Sequence, residues 1–172
     1  MIRRAFVAAA FGLALVLGLA LVLGLSAEAK TVRFPNAGEP AFQLEVPEDW
    51  LVKEDGVGNL LIGAADRSAG FSLSLAKVEA DLDILAGEIM KVAKAELLAG
   101  KTPASNSGLQ GFTYAGRKKN DAGVELNMTL TLLRVGKGYI ASISKLVAAS
   151  SKPQQLETAD AFARGIRIIP TN

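Results

Sequence analysis

Apolar residues recur at spacings of three and four between residues 82 and 98, and this pattern predicts one long amphipathic helix. Seven residues share its apolar face: Leu82, Leu85, Ala86, Ile89, Val92, Ala93 and Leu97. Asp81 is the expected N-cap, and Gly100 is the expected stop at the C-terminal end. Because a single helix of this length is only marginally stable in water, its apolar face must pack against another element.

Much of the remaining chain alternates between apolar and polar residues, which is typical of half-buried strands. Strands are predicted at 31–34, 41–46, 50–54, 59–64, 70–78, 109–115, 124–132 and 139–147, with a polar loop at 101–108 and a hairpin tip at 116–123. A shorter helix should begin after Ser150 or Ser151, and we expect Ile89 and Phe162 to be buried between helices and sheet. Short turns require antiparallel pairing. The predicted fold class is therefore α+β, an antiparallel sheet of about six to seven strands packed by one long and one shorter helix.

The N-terminal segment has the pattern of an export signal. Two arginines precede an uncharged apolar run at residues 5–25, and Ala27 and Ala29 fit a signal-peptidase site. The run is also long enough to span a bilayer, so residues 1–29 are interpreted as a cleaved signal or as a retained anchor in the inner membrane. Both interpretations place residues 30–172, a single domain, in the periplasm.

Composition narrows the possible functions. The chain contains no cysteine and no histidine, which excludes disulfides, a lipid-anchoring cysteine, His-dependent catalytic triads and the usual zinc sites. Without the export segment, the totals of 19 basic and 17 acidic residues fall to 17 and 16. Such a balance gives no general attraction to nucleic acid, so no nucleic-acid partner is expected.

Two constellations could carry chemistry, and each has a simpler structural interpretation. Ser142 and Lys145 match a Ser-x-x-Lys nucleophile motif, but on a strand their side chains would project to opposite faces. Glu79, Asp81 and Asp83 could hold a divalent cation through oxygen atoms, or could serve as an N-cap and as acids favoured by the helix dipole. Neither pattern defines a catalytic, metal or cofactor site.

Arg117, Lys118 and Lys119 form the tightest basic cluster in the sequence. On the predicted hairpin tip they would be accessible to an acidic protein partner or to an anionic lipid headgroup. The alternative is a solvated turn with no partner. This cluster is the predicted partner contact.

The stretch from Phe42 to Trp50 is an alternating strand that ends in Pro-x-x-Trp, and it resembles the opening of PsbP-like and DcrB-like domains. The Phe71–Leu75 strand that leads into the long helix also resembles this group, as does the end of the chain at 166–169. The resemblance covers residues 31–169. It implies a fold used mostly for binding partners, with no shared catalytic residues.

These observations predict an exported, non-catalytic envelope domain that binds a protein partner or assists assembly of an envelope complex. One alternative is a carrier of a small ligand or a divalent metal, because a cavity between helix and sheet could hold either. A small envelope hydrolase is the other alternative, and the absence of histidine and cysteine counts against it.

Overall fold

The structure, a computed structural model, describes residues 28–170 and contains ten strands and two helices in this range. The helices are α1 (Leu82–Val92) and α2 (Pro153–Gly165). The strands are β1 (Ala29–Phe34), β2 (Ala41–Pro47), β3 (Leu51–Glu54), β4 (Asn59–Gly63), β5 (Ala69–Lys77), β6 (Glu96–Asn106), β7 (Leu109–Lys119), β8 (Glu125–Gly136), β9 (Tyr139–Ala148) and β10 (Arg167–Ile169).

The strands of the described range form two sheets, and every strand pairing is antiparallel. A three-stranded sheet has the order β1-β2-β10, and a seven-stranded sheet has the order β3-β4-β5-β9-β8-β7-β6. The predicted α+β class and antiparallel pairing are confirmed, but the expectation of one sheet is wrong. The chain changes sheets at a tight turn in which the Trp50 amide donates to the Pro47 carbonyl, so β2 does not pair with β3.

Each face of the seven-stranded sheet is covered by a different layer. On the β2 face, the three-stranded sheet and α2 cover β4, β5 and β9, and the core there includes Phe42, Phe71 and Leu73. On the α1 face, helix α1 packs over β7 and β8, around Met90 and Leu130. The two layers are therefore offset, and each leaves part of its face uncovered.

Trp50, directly before β3, lies in the core of the β2 face. It is buried and packs against Phe71 and Phe162, with ring centroids 6.1 Å and 4.7 Å away. Phe162 on α2 and Ile89 on α1 both pack against the core, as expected, but each is only partly buried.

Helix α1 is shorter than predicted, because the chain leaves the helix at Ala93. Lys94 adopts a positive φ of 53°, and the Ala95 amide donates to the Met90 carbonyl over 2.8 Å. This is the Schellman geometry that usually requires glycine. Leu97 continues the helical spacing only by coincidence, since it lies in β6 beside Gly116 of β7. With 13 residues against 11, α2 is the longer helix.

Two further boundaries differ from the prediction. Residues 101–108 are not a loop, since most of them belong to β6, which bulges between Leu97 and Lys101. Helix α2 has Lys152 as its N-cap, not Ser150 or Ser151, and the Lys152 amide donates to Gln155 Oε1 over 2.9 Å. Asp81 is the N-cap of α1, as predicted, and accepts from the amides of two following residues.

The predicted export segment at residues 1–29 lies almost wholly outside the described residues. Within residues 28–170, neither helix is long and apolar enough to cross a membrane.

Candidate functional site

The uncovered part of the α1 face is a flat area of sheet beside helix α1. Its strands are β4, β5 and β9, and four serines lie there on two neighbouring strands. Ser72 is opposite Ser144, and Ser74 is opposite Ser142. Residues directly opposite each other in an antiparallel ladder point to the same face, so the four hydroxyl groups share one surface.

A groove with a volume of about 390 Å³ runs between this serine surface and α1, and we call it the serine groove. Its floor is formed by Asn59, Ser72, Ser74, Ser142 and Ser144. Its aliphatic wall is formed by Ile89, Val92, Ala93, Met128 and Leu146. Glu88, on the exposed side of α1, completes the lining.

Asn59 is held at one end of the groove by the turn between β3 and β4. Its side-chain amide and its backbone amide both donate to the Asp55 carboxylate, over 2.5 Å and 3.0 Å. The hydrogen bond from the Asn59 side chain is the main reason why the pKa of Asp55 is below its usual value. Asn59 is therefore positioned by its donor group, and its carbonyl oxygen is not used in this contact.

Ser142 is the most unusual residue of the groove. It is only 8% exposed, and its hydroxyl group makes no hydrogen bond with any residue of the 28–170 range. Polar groups that are this deeply buried usually have a partner. On the opposite face, by contrast, the hydroxyl groups of Thr113 and Thr131 bond to each other over 2.9 Å. The groove thus contains unused hydrogen-bonding capacity.

The Ser-x-x-Lys motif does not form a nucleophile site. Ser142 lines the groove on the α1 face, whereas Lys145 forms an ion pair with Asp160 of α2 on the β2 face. The prediction that these two side chains project to opposite faces of a strand is confirmed. Activation of a serine by lysine requires direct hydrogen-bond contact, which this arrangement does not provide.

The acidic residues near the start of α1 contact other protein groups. Asp81 caps the helix, and Asp83 accepts from Lys101 Nζ over 2.6 Å and from the Tyr114 hydroxyl over 2.7 Å. The hydrogen bond from Lys101, followed by that from Tyr114, places the pKa of Asp83 below its usual value. Burial and the Asp83 carboxylate raise the pKa of Tyr114. Across residues 28–170, no group of three or more carboxylates is placed to hold a metal ion.

The basic cluster Arg117–Lys119 does not lie on the hairpin tip, which is a correction to the sequence prediction. All three residues belong to β7, and the turn follows at residues 120–124. Their side chains therefore alternate between faces. Arg117 pairs with Glu125 over 3.0 Å on the β2 face, and Lys118 Nζ donates to the Ala93 carbonyl at the end of α1 over 2.7 Å. The predicted strand ended at Ala115, whereas β7 continues to Lys119 because the turn that follows it is short.

No family model and no curated protein matches the chain. The solution structure of the cyanobacterial PsbP protein CyanoP from Synechocystis sp. PCC 6803 matches over 85% of this chain and 96% of its own, with a TM-score of 0.56 and 13% identity. The domain has a PsbP-like fold.

A second solved structure with a similar fold is that of an envelope protein. LpqN, which is involved in cell envelope biogenesis of Mycobacterium tuberculosis, matches over 83% of this chain and 91% of its own, with a TM-score of 0.53 and 13% identity. A protein from Bacteroides thetaiotaomicron covers 74% of this chain at 18% identity and a TM-score of 0.48, and the chain spans 45% of that protein's length. At such identities the likeness concerns the fold alone.

Proposed function

We propose that the chain is an exported, non-catalytic domain that binds a protein partner or assists the assembly of an envelope complex. The PsbP-like fold, shared with an envelope-biogenesis protein, supports the coarse assignment. The observation that carries it is the uncovered part of the α1 face. Large apolar side chains remain exposed there: Leu51 at 74%, Leu61 at 38% and Val92 at 82%.

These three residues belong to one surface. Leu61 lies opposite Ser72, so it shares the face of the serine groove. Lys53 lies opposite Leu61, and Leu51 is two residues before Lys53 on the same strand, so Leu51 points to this face as well. Val92 borders the groove from the helix side. Three exposed apolar side chains on one surface favour an interaction site over ordinary solvent exposure. The partner is therefore proposed to contact the β3–β4 edge of the α1 face, with Arg117 and Lys119 as a separate contact for acidic groups.

Site-specific photo-crosslinking tests this proposal with a matched control. A benzoylphenylalanine at Leu61 should yield a discrete adduct in the intact envelope. The same substitution at Leu156 should yield none, because Leu156 has nearly the same exposure, 39%, but lies on α2 at the opposite side of the sheet. Equal adducts at both positions, or adducts at neither, would contradict the proposed surface.

A further inference from the structure

The serine groove has features that a protein–protein surface does not require. Ser142 is 8% exposed, lies at the groove floor and has no hydrogen-bonding partner within residues 28–170. Leaving a buried hydroxyl group unpaired costs free energy, and a ligand that bonds to it recovers that cost. The volume of about 390 Å³ is within the usual range for small-molecule sites.

The lining limits the charge of the ligand. Among the described residues that line the groove, Glu88 is the only charged one, and none is a lysine or an arginine. An anionic headgroup would lose its hydration without gaining a cationic partner, and it would be repelled by the Glu88 carboxylate. Serine hydroxyls both donate and accept, so they suit a neutral group with the same double capacity.

The two sides of the groove differ in polarity, and this difference limits the shape of the ligand. The floor carries hydroxyl groups, whereas the wall formed by Ile89, Val92 and Met128 is aliphatic. None of the lining residues in the 28–170 range is aromatic, so flat aromatic ligands gain no stacking contact from them. A flexible aliphatic chain would cover the wall while its polar end reaches the floor.

We propose that the serine groove binds a small, uncharged aliphatic ligand whose polar end is an amide or an alcohol. The polar end bonds to the hydroxyl groups of Ser142 and Ser144, and the aliphatic chain lies against α1. This site adjoins the proposed partner surface and shares Val92 with it, but its polar contacts are the floor serines rather than Leu51 and Leu61.

Octanamide, octanoate and octylamine test the proposal, since they share a chain length and differ in the charge of the polar end. Binding is measured by titration calorimetry, and by amide chemical shifts, on the protein purified from the cell envelope. Octanamide should bind saturably and shift amides of β5, β9 and α1. Octanoate should bind at least tenfold more weakly. Equal or tighter binding of octanoate or octylamine, or no saturable binding of octanamide, would overturn the proposal.

Substitutions locate the site and separate it from partner binding. Ser142→Ala combined with Ser144→Ala should weaken octanamide binding at least tenfold, whereas Ser105→Ala, on β6 outside the groove, should not change it. Glu88→Gln should strengthen octanoate binding, because it removes the carboxylate that repels the anion. Retained octanamide affinity in the double serine variant would refute the site, whatever the outcome of crosslinking at Leu61.

Discussion

The two faces of the seven-stranded sheet differ in how much of the sheet is covered. In the described range, the β2 face contributes to a core of nineteen buried residues, and the α1 face to a core of eight. A three-stranded sheet together with a helix covers the first, and a single helix of eleven residues covers the second. Stability should therefore depend mainly on the β2 face, which leaves the α1 face available for binding.

The uncovered parts of both faces carry short hydroxyl side chains, but their hydrogen bonding differs. On the β2 face, Thr113 and Thr131 satisfy each other. On the α1 face, the paired serines of β5 and β9 make no such bond within the described residues. Small polar side chains allow another molecule to approach closely, and hydroxyl groups without a partner can form hydrogen bonds with that molecule. This difference is the reason to place the candidate site beside α1.

The largest expected effect comes from the β2 face. Phe42 is completely buried, so Phe42→Ala should lower the free energy of unfolding by about 3–5 kcal/mol. Ile89→Ala, on the α1 face, removes a half-buried side chain at the groove wall and should cost about 1 kcal/mol. Urea denaturation of both variants measures the difference. Equal losses would mean that the two faces contribute alike, contrary to the comparison.

The next effect concerns how α1 is attached to the sheet. Tyr114 is buried in β7, and its hydroxyl group donates to Asp83 in the first turn of α1 over 2.7 Å. Tyr114→Phe should therefore lower the free energy of unfolding by about 1 kcal/mol, a typical net value for one hydrogen bond, since Asp83 is exposed and keeps its bond from Lys101. Hydrogen exchange should accelerate in α1 and remain unchanged in β2. Acceleration in both elements would show that the two layers unfold together.

The same contact gives a pH dependence with a definite sign. The pKa of Asp83 is lowered from its usual 3.8, so the folded state favours the carboxylate. The resulting stabilisation is present above pH 3.8 and is lost as the pH falls through the lower pKa of the folded state. Asp83→Asn should thus be destabilising at neutral pH, and its difference from the wild type should shrink in acid. A difference that stays constant from neutral to acid pH would contradict this assignment.

Sequence pattern was sufficient for the class of fold, but it did not predict the division into two sheets. Alternation located most strands, and Asp81 marked the start of α1 correctly. The end of α1 was missed because a lysine, not a glycine, takes the positive φ at position 94. After this turn Glu96 pairs with Arg117, so the chain continues as strand β6 although its apolar residues keep a helical spacing up to Leu97. Non-local pairing of this kind has no short-range signal in the sequence.

The candidate site was largely missed, and the reason is again long-range. Ser72 and Ser142 lie 70 positions apart and meet only because β5 pairs with β9. Serines that alternate with apolar residues were visible along both strands, but nothing in the sequence showed that α1 would leave these serines uncovered. The basic cluster, by contrast, was visible in the sequence, but the structure places it on β7 and divides its side chains between the two faces of the sheet.

The smallest expected effect tests whether the uncovered corner of the β2 face also binds. Arg117 and Lys119 are exposed there, and within residues 28–170 Arg117 forms its ion pair with the exposed Glu125. Replacing both by alanine should leave the melting temperature nearly unchanged, because such surface pairs contribute about 0–1 kcal/mol. Lys118 is excluded from the variant, since it bonds to the Ala93 carbonyl at the end of α1.

The same double variant should weaken binding to the envelope partner, or to vesicles that contain anionic lipid, at about 50 mM salt, where charge interactions are weakly screened. Arg167→Ala removes another exposed cation, from β10, and should leave binding unchanged. Raising the salt concentration should abolish the difference between the double variant and the wild type. Unchanged binding by the double variant at low salt would identify Arg117 and Lys119 as solvated residues at a strand end, and would restrict binding to the α1 face.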